Sequence, residues 1–215
     1  MKISVIGLGV VGLVTGLTFA RKGHYVIGTD IDAHKIDDLN KGISPFYEPH
    51  LEDLLRECLT RGSIKFITDH KESVETSEVI FITVGTPMSP TGEADLSSLE
   101  KVAREVAWHM NDYKVIVEKS TVPVKTGEKL EKTIRRYLKK FIPFDVVSNP
   151  EFLREGNAVF DSFHPSRIVI GTSSQRARNI MAELYKDFEA PIIYTTLTSA
   201  ELIKHASNSF LALKI

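Results

Sequence analysis

The stretch that decides the fold is Lys2-Ile3-Ser4-Val5-Ile6-Gly7-Leu8-Gly9-Val10-Val11-Gly12, continued by the uncharged run Leu13–Ala20. Lys2–Ile6 is short and apolar, as a strand covered on both faces should be. The glycines at 7, 9 and 12 fall where such a strand turns into a helix, Val11–Lys22. In a GxGxxG turn of this kind the first glycine permits the tight bend. The second lets the backbone approach a pyrophosphate, and the third lets helix and strand pack closely. The helix N-terminus adds amide donors and a positive dipole for phosphate. Asp30 ends the next predicted strand, where a carboxylate accepts hydrogen bonds from a ribose and repels a 2′-phosphate. Asp32 adds to that repulsion, and Lys35 is placed to lie beside the adenosine. Gly7, Gly9, Val10, Val11, Gly12, Asp30 and Lys35 thus read as a site for NAD rather than NADP. The bland alternative is a glycine-rich turn with no ligand.

Working outward, strand-like runs recur at Tyr25–Thr29, Ile64–Thr68, Val79–Thr83, Val115–Glu118, Asp145–Val147, Ile168–Gly171 and Ile192–Thr195. Helical stretches separate many of them: Ala33–Lys41, His50–Arg61, Leu96–Met110, Lys125–Lys140, Gln175–Phe188 and a last one from Ser199 onward. Lys125–Lys140 sets Leu130, Ile134 and Leu138 on one stripe. The alternation predicts an α/β fold: a doubly wound, mostly parallel Rossmann-type sheet with helices on both faces. The last helix is expected to be capped at Thr198-Ser199, with Glu201 in its first turn. It runs through Leu202, Ile203, Ala206, Phe210, Leu211 and Leu213 to Ile215 with no stop signal, as the start of a longer connecting helix would. The expected organisation is a cofactor domain over 1–197 and the beginning of that helix over 198–215, in a chain that continues into a further domain.

Composition narrows the classes. The 215 residues carry 27 Lys+Arg against 28 Asp+Glu, a net charge of −1, which lacks the basic surplus of a nucleic-acid binder. The single cysteine, Cys58, excludes an internal disulfide and a cysteine zinc cluster, and a reducing, cytoplasmic compartment is expected. Ile3–Ala20 is long enough to suggest a signal peptide or membrane span, but its four glycines weaken a continuous apolar helix. No membrane or nucleic-acid partner is expected. His24, His34, His50 and His70 show no metal-ligand spacing and read as surface residues, Cys58 as a small buried hydrophobe and Trp108 as a core or flank anchor.

Ligands of such sheets sit beyond the carboxyl ends of the strands. Three strand–loop junctions are unusual: Val84-Gly85-Thr86-Pro87, Glu118-Lys119-Ser120-Thr121-Val122-Pro123 and Ser148-Asn149-Pro150-Glu151-Phe152-Leu153-Arg154-Glu155-Gly156. All three should converge on the edge that carries the glycine turn. With Tyr47-Glu48-Pro49, His164-Pro165-Ser166-Arg167 and Ser199–Lys204 with Asn208, their order and spacing resemble the UDP-glucose/GDP-mannose dehydrogenase family, its UDP-glucose branch more than its GDP-mannose branch. The resemblance spans essentially the whole chain.

It implies NAD-dependent oxidation of C6 of a nucleotide sugar from alcohol to acid, for UDP-glucose to UDP-glucuronate, by two hydride transfers and a covalent thio-intermediate. It implies that Gly85, Thr86, Pro87, Ser120 and Thr121 line the cofactor, that Thr121 also places a water, and that Glu155 approaches the nicotinamide. Glu151 would be the acid/base residue, and Phe152, Leu153, Arg154 and Glu155 the substrate loop. Lys204 and Asn208, four apart on one helix face, would stabilise an oxyanion. If the 151–155 segment is helical, Glu151 and Glu155 crowd each other. The family's nucleophilic cysteine lies in a glycine-rich loop of a later domain that nothing here matches. This chain alone is therefore expected to bind NAD without completing the oxidation. A homodimer or larger assembly is expected of the full-length protein. Three alternatives stand: a GDP-mannose or other nucleotide-sugar 6-dehydrogenase, a β-hydroxyacid dehydrogenase, which also pairs Lys and Asn four apart on a long helix, and a non-catalytic NAD-binding module.

Overall fold

The computed structural model describes residues 1–214; Ile215, the last residue of the expected final helix, lies outside the described residues. The strands are β1 (Lys2–Ile6), β2 (Tyr25–Thr29), β3 (Ile64–Ile67), β4 (Val79–Ile82), β5 (Lys114–Glu118), β6 (Phe144–Ser148), β7 (Ile168–Gly171) and β8 (Ile192–Thr195). They form one sheet in the order β3-β2-β1-β4-β5-β6-β7-β8. Every neighbouring pair is parallel except β6 and β7. The chain leaves β1 toward one edge, returns to β4 beside β1, and continues to the other edge. That reversal between β1 and β4 opens the crevice in which doubly wound sheets bind ligands.

The helices are α1 (Val10–Arg21), α2 (Ala33–Asn40), α3 (Leu51–Thr60), α4 (His70–Thr76), α5 (Ser97–His109), α6 (Thr126–Tyr137), α7 (Ala158–Phe163), α8 (Gln175–Leu184) and α9 (Leu197–Ala212). Successive strand side chains point to opposite faces, so β4 feeds two cores. Val79 and Phe81 pack with Leu13 and Leu17 of α1, Cys58 of α3 and Met181 of α8. Ile80 and Ile82 pack with Val102 and Val106 of α5 and with Leu130 and Ile134 of α6. Each large apolar side chain buried this way contributes about 1.5–3 kcal/mol. Cys58 is fully buried in the first core, and Trp108 is a flank residue, edge-on to Tyr137.

Several elements differ from the expectation, for local reasons. The helices α4 and α7, of seven and six residues, are too short for a periodic pattern to reveal. Asp69 caps α4 by accepting the Lys71 N–H, and α7 is held by a residue more than a hundred positions upstream, described below. The α6 helix starts at Thr126 because Lys125 adopts a left-handed φ of 76°. It ends at Tyr137, so Leu138 lies in extended backbone, although it still packs on the second core. The last helix begins at Leu197 rather than near Ser199; Thr196 caps it by accepting the Ser199 N–H at 3.2 Å. Glu201 therefore lies past the first turn. Its buried carboxylate accepts the Lys125 and Gly127 N–H groups at 2.6 and 2.7 Å and fastens α9 to the start of α6. His34 and His50 are exposed, but His24 and His70 are half-buried rather than surface residues. Among the described residues, no helix is long and apolar enough to cross a membrane, and no cluster of His, Cys, Asp or Glu could hold a metal ion.

Candidate functional site

The glycine turn is built from backbone constraints. Gly7 has φ +96°, a conformation that L side chains rarely adopt. Its N–H donates to Thr29 O at 2.8 Å, and its carbonyl accepts the Thr83 hydroxyl at 2.7 Å. A Cβ on Gly12 would collide with the Gly7 carbonyl, so only glycine lets α1 sit this close to β1. A Cβ on Gly9 would meet no protein atom within 4 Å, which leaves that backbone open to a ligand. Asp30, at the end of β2, accepts the Leu8 N–H at 2.9 Å and the Asp32 N–H at 3.1 Å. Lys35 of α2 places Nζ 2.8 Å from its Oδ2. Burial pushes the Asp30 carboxyl up, but the Lys35 ammonium and the two N–H donors outweigh it and leave the group below the usual carboxylate range.

A cavity of about 530 Å³ lies over this turn. Asp30, Ile31, Lys35 and His70 line it, the turn itself contributes Gly7, Gly9, Val10 and Val11, and Val84, Gly85, Thr86, Lys119, Ser120, Thr121 and Glu151 are among the rest of its lining. The two middle junctions are tied together: the Thr86 hydroxyl donates to Thr121 O at 2.6 Å, and Ser120 donates to Val84 O at 2.7 Å. The glycine geometry, the open Gly9 backbone and the ionised Asp30 fit a dinucleotide. Pro87, expected against the cofactor, is exposed and outside this lining, because the chain turns away after Thr86.

A second cavity of about 300 Å³ lies under the loop after β6. Glu151, Phe152, Leu153 and Arg154 line it, together with His164-Pro165-Ser166-Arg167. Glu151 accepts the Leu153 N–H at 2.6 Å through one oxygen and faces Lys204 Nζ at 2.7 Å through the other. Lys204 is buried and Glu151 largely so, at 8% and 12% side-chain exposure. Arg167 stacks 4.0 Å above the Phe152 ring, and Arg154 grips Asp161 of α7 with two side-chain bonds of 2.9 and 2.7 Å. That grip holds the Asp161 carboxyl below its usual range.

The loop is not helical, so Glu151 and Glu155 do not crowd each other. Glu155 is exposed and lines neither cavity; the pairing that matters to Glu151 is with Lys204. Asn208, one turn beyond Lys204, is exposed and likewise lines neither cavity. Two residues that the sequence reading named within motifs, without a role of their own, support the site. Glu48, which is buried, accepts the Gly156 N–H at 3.0 Å and the Ala158 N–H at 2.6 Å, fixing the far end of the loop and the start of α7. Lys119 is buried beside Asn149. The only available signal for it was a lysine directly after an apolar strand, where a charge needs a partner.

Residues 1–189 match the UDP-glucose/GDP-mannose dehydrogenase family, NAD binding domain. The chain belongs to this family. The cofactor of its domain is NAD. The chain is 47% identical over 215 residues to UDP-glucose 6-dehydrogenase YwqF of Bacillus subtilis (strain 168), covering all of itself and 49% of that protein. The structure of a UDP-glucose dehydrogenase from the hyperthermophilic archaeon Pyrobaculum islandicum superposes with a TM-score of 0.97 at 41% identity, covering 100% of this chain and 50% of that one. A ternary complex of GDP-mannose dehydrogenase from Pseudomonas aeruginosa gives 0.96 at 38% identity, with the same coverage. The chain thus spans about half the length of the relatives it matches. Membership of this family sets aside the β-hydroxyacid dehydrogenase alternative.

Proposed function

We propose that this chain supplies the NAD-binding domain and one wall of the active site for oxidation of UDP-glucose to UDP-glucuronate. The observation that carries the proposal is the position of Glu151, which borders both cavities and is paired with buried Lys204. NAD, when bound, supplies the hydride acceptor. Glu151 can take a proton from a sugar hydroxyl or from a water held at Thr121. The Lys204 ammonium can stabilise an oxygen that gains negative charge, with Asn208 as its partner on the same helix. Phe152, Leu153 and Arg154 offer the sugar an aromatic ring, an apolar contact and a cation. A thio-intermediate needs a thiol at the cavity, and Cys58, the one cysteine of the sequence, is buried in the core behind α1. The thiol therefore has to come from outside these residues. We place the full-length protein, as a separate part of the proposal, in the cytoplasm as an assembly of two or more subunits.

The test is NADH formation by this chain with NAD and UDP-glucose, run beside calorimetric NAD binding. Binding without turnover is expected. Release of two NADH per sugar would overturn the claim about the thiol, and absence of NAD binding would overturn the claim that the cofactor site is complete. A second reading, oxidation of GDP-mannose, is favoured by the likeness to the Pseudomonas enzyme; the same assay on the full-length protein, with each sugar nucleotide in turn, separates the two.

A further inference from the structure

Among the described residues, only two side chains line both cavities: Glu151 and Lys119. Lys119 immediately follows β5, and its Nζ lies 3.2 Å from Asn149 Oδ1 and 3.4 Å from Asn149 O. Asn149 is itself pinned. It donates to Val169 O at 2.8 Å, and its Oδ1 also accepts the Tyr185 hydroxyl at 2.6 Å. Pro150 then restricts the backbone leading to Glu151. The lysine thus grips the root of the segment that carries the acid/base carboxylate. Among the described residues, no carboxylate lies within ion-pair distance of Lys119, so an ammonium with three donors spends two on Asn149 and none on a counter-charge. Proteins seldom bury a charge in that state without a use for it.

We propose that Lys119 is a positioning residue of this site, which fixes the Asn149–Glu151 segment between the two cavities and exchanges charge influence with Glu151. The inference rests on the preceding reading of Glu151. The groups that act on Lys119 are Glu151, Lys204 on α9, and Tyr185 at the end of α8 through Asn149. Arg154, Asp161, His164 and Arg167 line the same substrate-side cavity. Burial lowers the Lys119 ammonium to about 8; Glu151 opposes that shift and Lys204 adds to it. Below that pH the Lys119 ammonium adds positive charge to the surroundings of Glu151, and above it that contribution is lost. The charge around the acid/base residue therefore changes in the mildly alkaline range.

The test is an NMR titration of the chain with isotope-labelled lysine side chains and glutamate carboxyls, from neutral to alkaline pH. Lys119 should lose its proton near 8, and the Glu151 carboxyl resonance should inflect at the same pH. In Glu151→Gln, the Lys119 midpoint should fall by about half a pH unit or more, because its one attractive partner is gone. Lys119→Arg keeps the cation and should erase the alkaline inflection at Glu151. An unmoved midpoint in Glu151→Gln, or a Glu151 carboxyl blind to Lys119, would overturn the proposal. If the Gln variant does not fold, the Glu151 response in the unmodified chain decides. Calorimetric NAD binding on the same samples keeps the two readings apart. Binding without coupling would sink only the role of Lys119, whereas coupling without binding would support that role and sink the cofactor reading.

Discussion

The glycine turn and the loop after β6 border cavities that share Glu151, yet they are built in opposite ways. The turn is local: β1, the glycines, α1 and Asp30 come from the first thirty residues, and their fit is set by backbone geometry at Gly7 and Gly12. The loop after β6 has almost no regular structure of its own. It keeps its shape through partners far away in sequence: Glu48 at one end, Lys204 of α9 on Glu151, and Lys119 at its root. A locally encoded site can be complete within one domain. A loop held by distant side chains depends on every element that supplies one.

That contrast can be broken most severely at Lys204. Lys204→Met leaves the buried Glu151 carboxylate without its counter-charge, and losing one partner of a buried pair costs about 3–5 kcal/mol. Chemical denaturation should show the loss, while calorimetric NAD affinity in the folded fraction should stay within about twofold. A large fall in NAD affinity would mean that the two regions are not separable. Next comes Gly12→Ala. Its Cβ meets the Gly7 carbonyl, so the helix must move away from the turn, at about 1–3 kcal/mol in stability. NAD binding should weaken at least about tenfold, whereas the loop should be untouched. Unchanged affinity would contradict the close-packing argument for this glycine.

The sequence made the first region readable because its rules are short-range. Gly7, Gly9, Gly12 and Asp30 carry their meaning in spacing alone, and strand–helix alternation was enough for the sheet. The second region was legible only through resemblance. Glu151 and Lys204 are separated by more than fifty residues, and no periodicity signals that they meet. Neither Glu155 nor Asn208 lines a cavity: Glu155 lies in a loop without helical geometry, which spacing cannot phase, and Asn208 lies on an exposed face of α9, although it shares that helix with Lys204. Glu48 looked like one member of a Tyr-Glu-Pro motif; that it caps a helix beginning at Ala158 is visible only once α1, α3 and α7 are packed.

Smaller effects sharpen the same contrast. Glu48→Gln turns one acceptor oxygen into a donor and leaves an N–H of Gly156 or Ala158 unpaired, at about 1–3 kcal/mol. Amide exchange at those two positions should accelerate far more than at Gly7 or Gly9; equal acceleration throughout would count against a loop-specific role. The mildest change concerns Glu118, at the end of β5. Burial, with the nearby Glu201 carboxylate, pushes its carboxyl well above the usual range, and one of its oxygens has no partner among the described residues. The folded state then holds a proton that the unfolded chain has already released. Stability therefore falls as pH rises from the ordinary glutamate value toward the raised one, with a slope of at most about 1.4 kcal/mol per pH unit. Glu118→Gln should flatten that decline in melting experiments from acidic to neutral pH, and an unchanged slope would show that Glu118 is ionised in the fold.

The central claim is that the glycine turn and its partners bind NAD on their own, independently of the loop after β6. Amide hydrogen exchange of this chain with and without NAD tests it most directly. The account predicts strong added protection at Gly7–Gly12, Asp30–Asp32 and Val84–Thr86, with little change across Phe152–Gly156. Protection of the loop equal to that of the turn, or none at either, would contradict it.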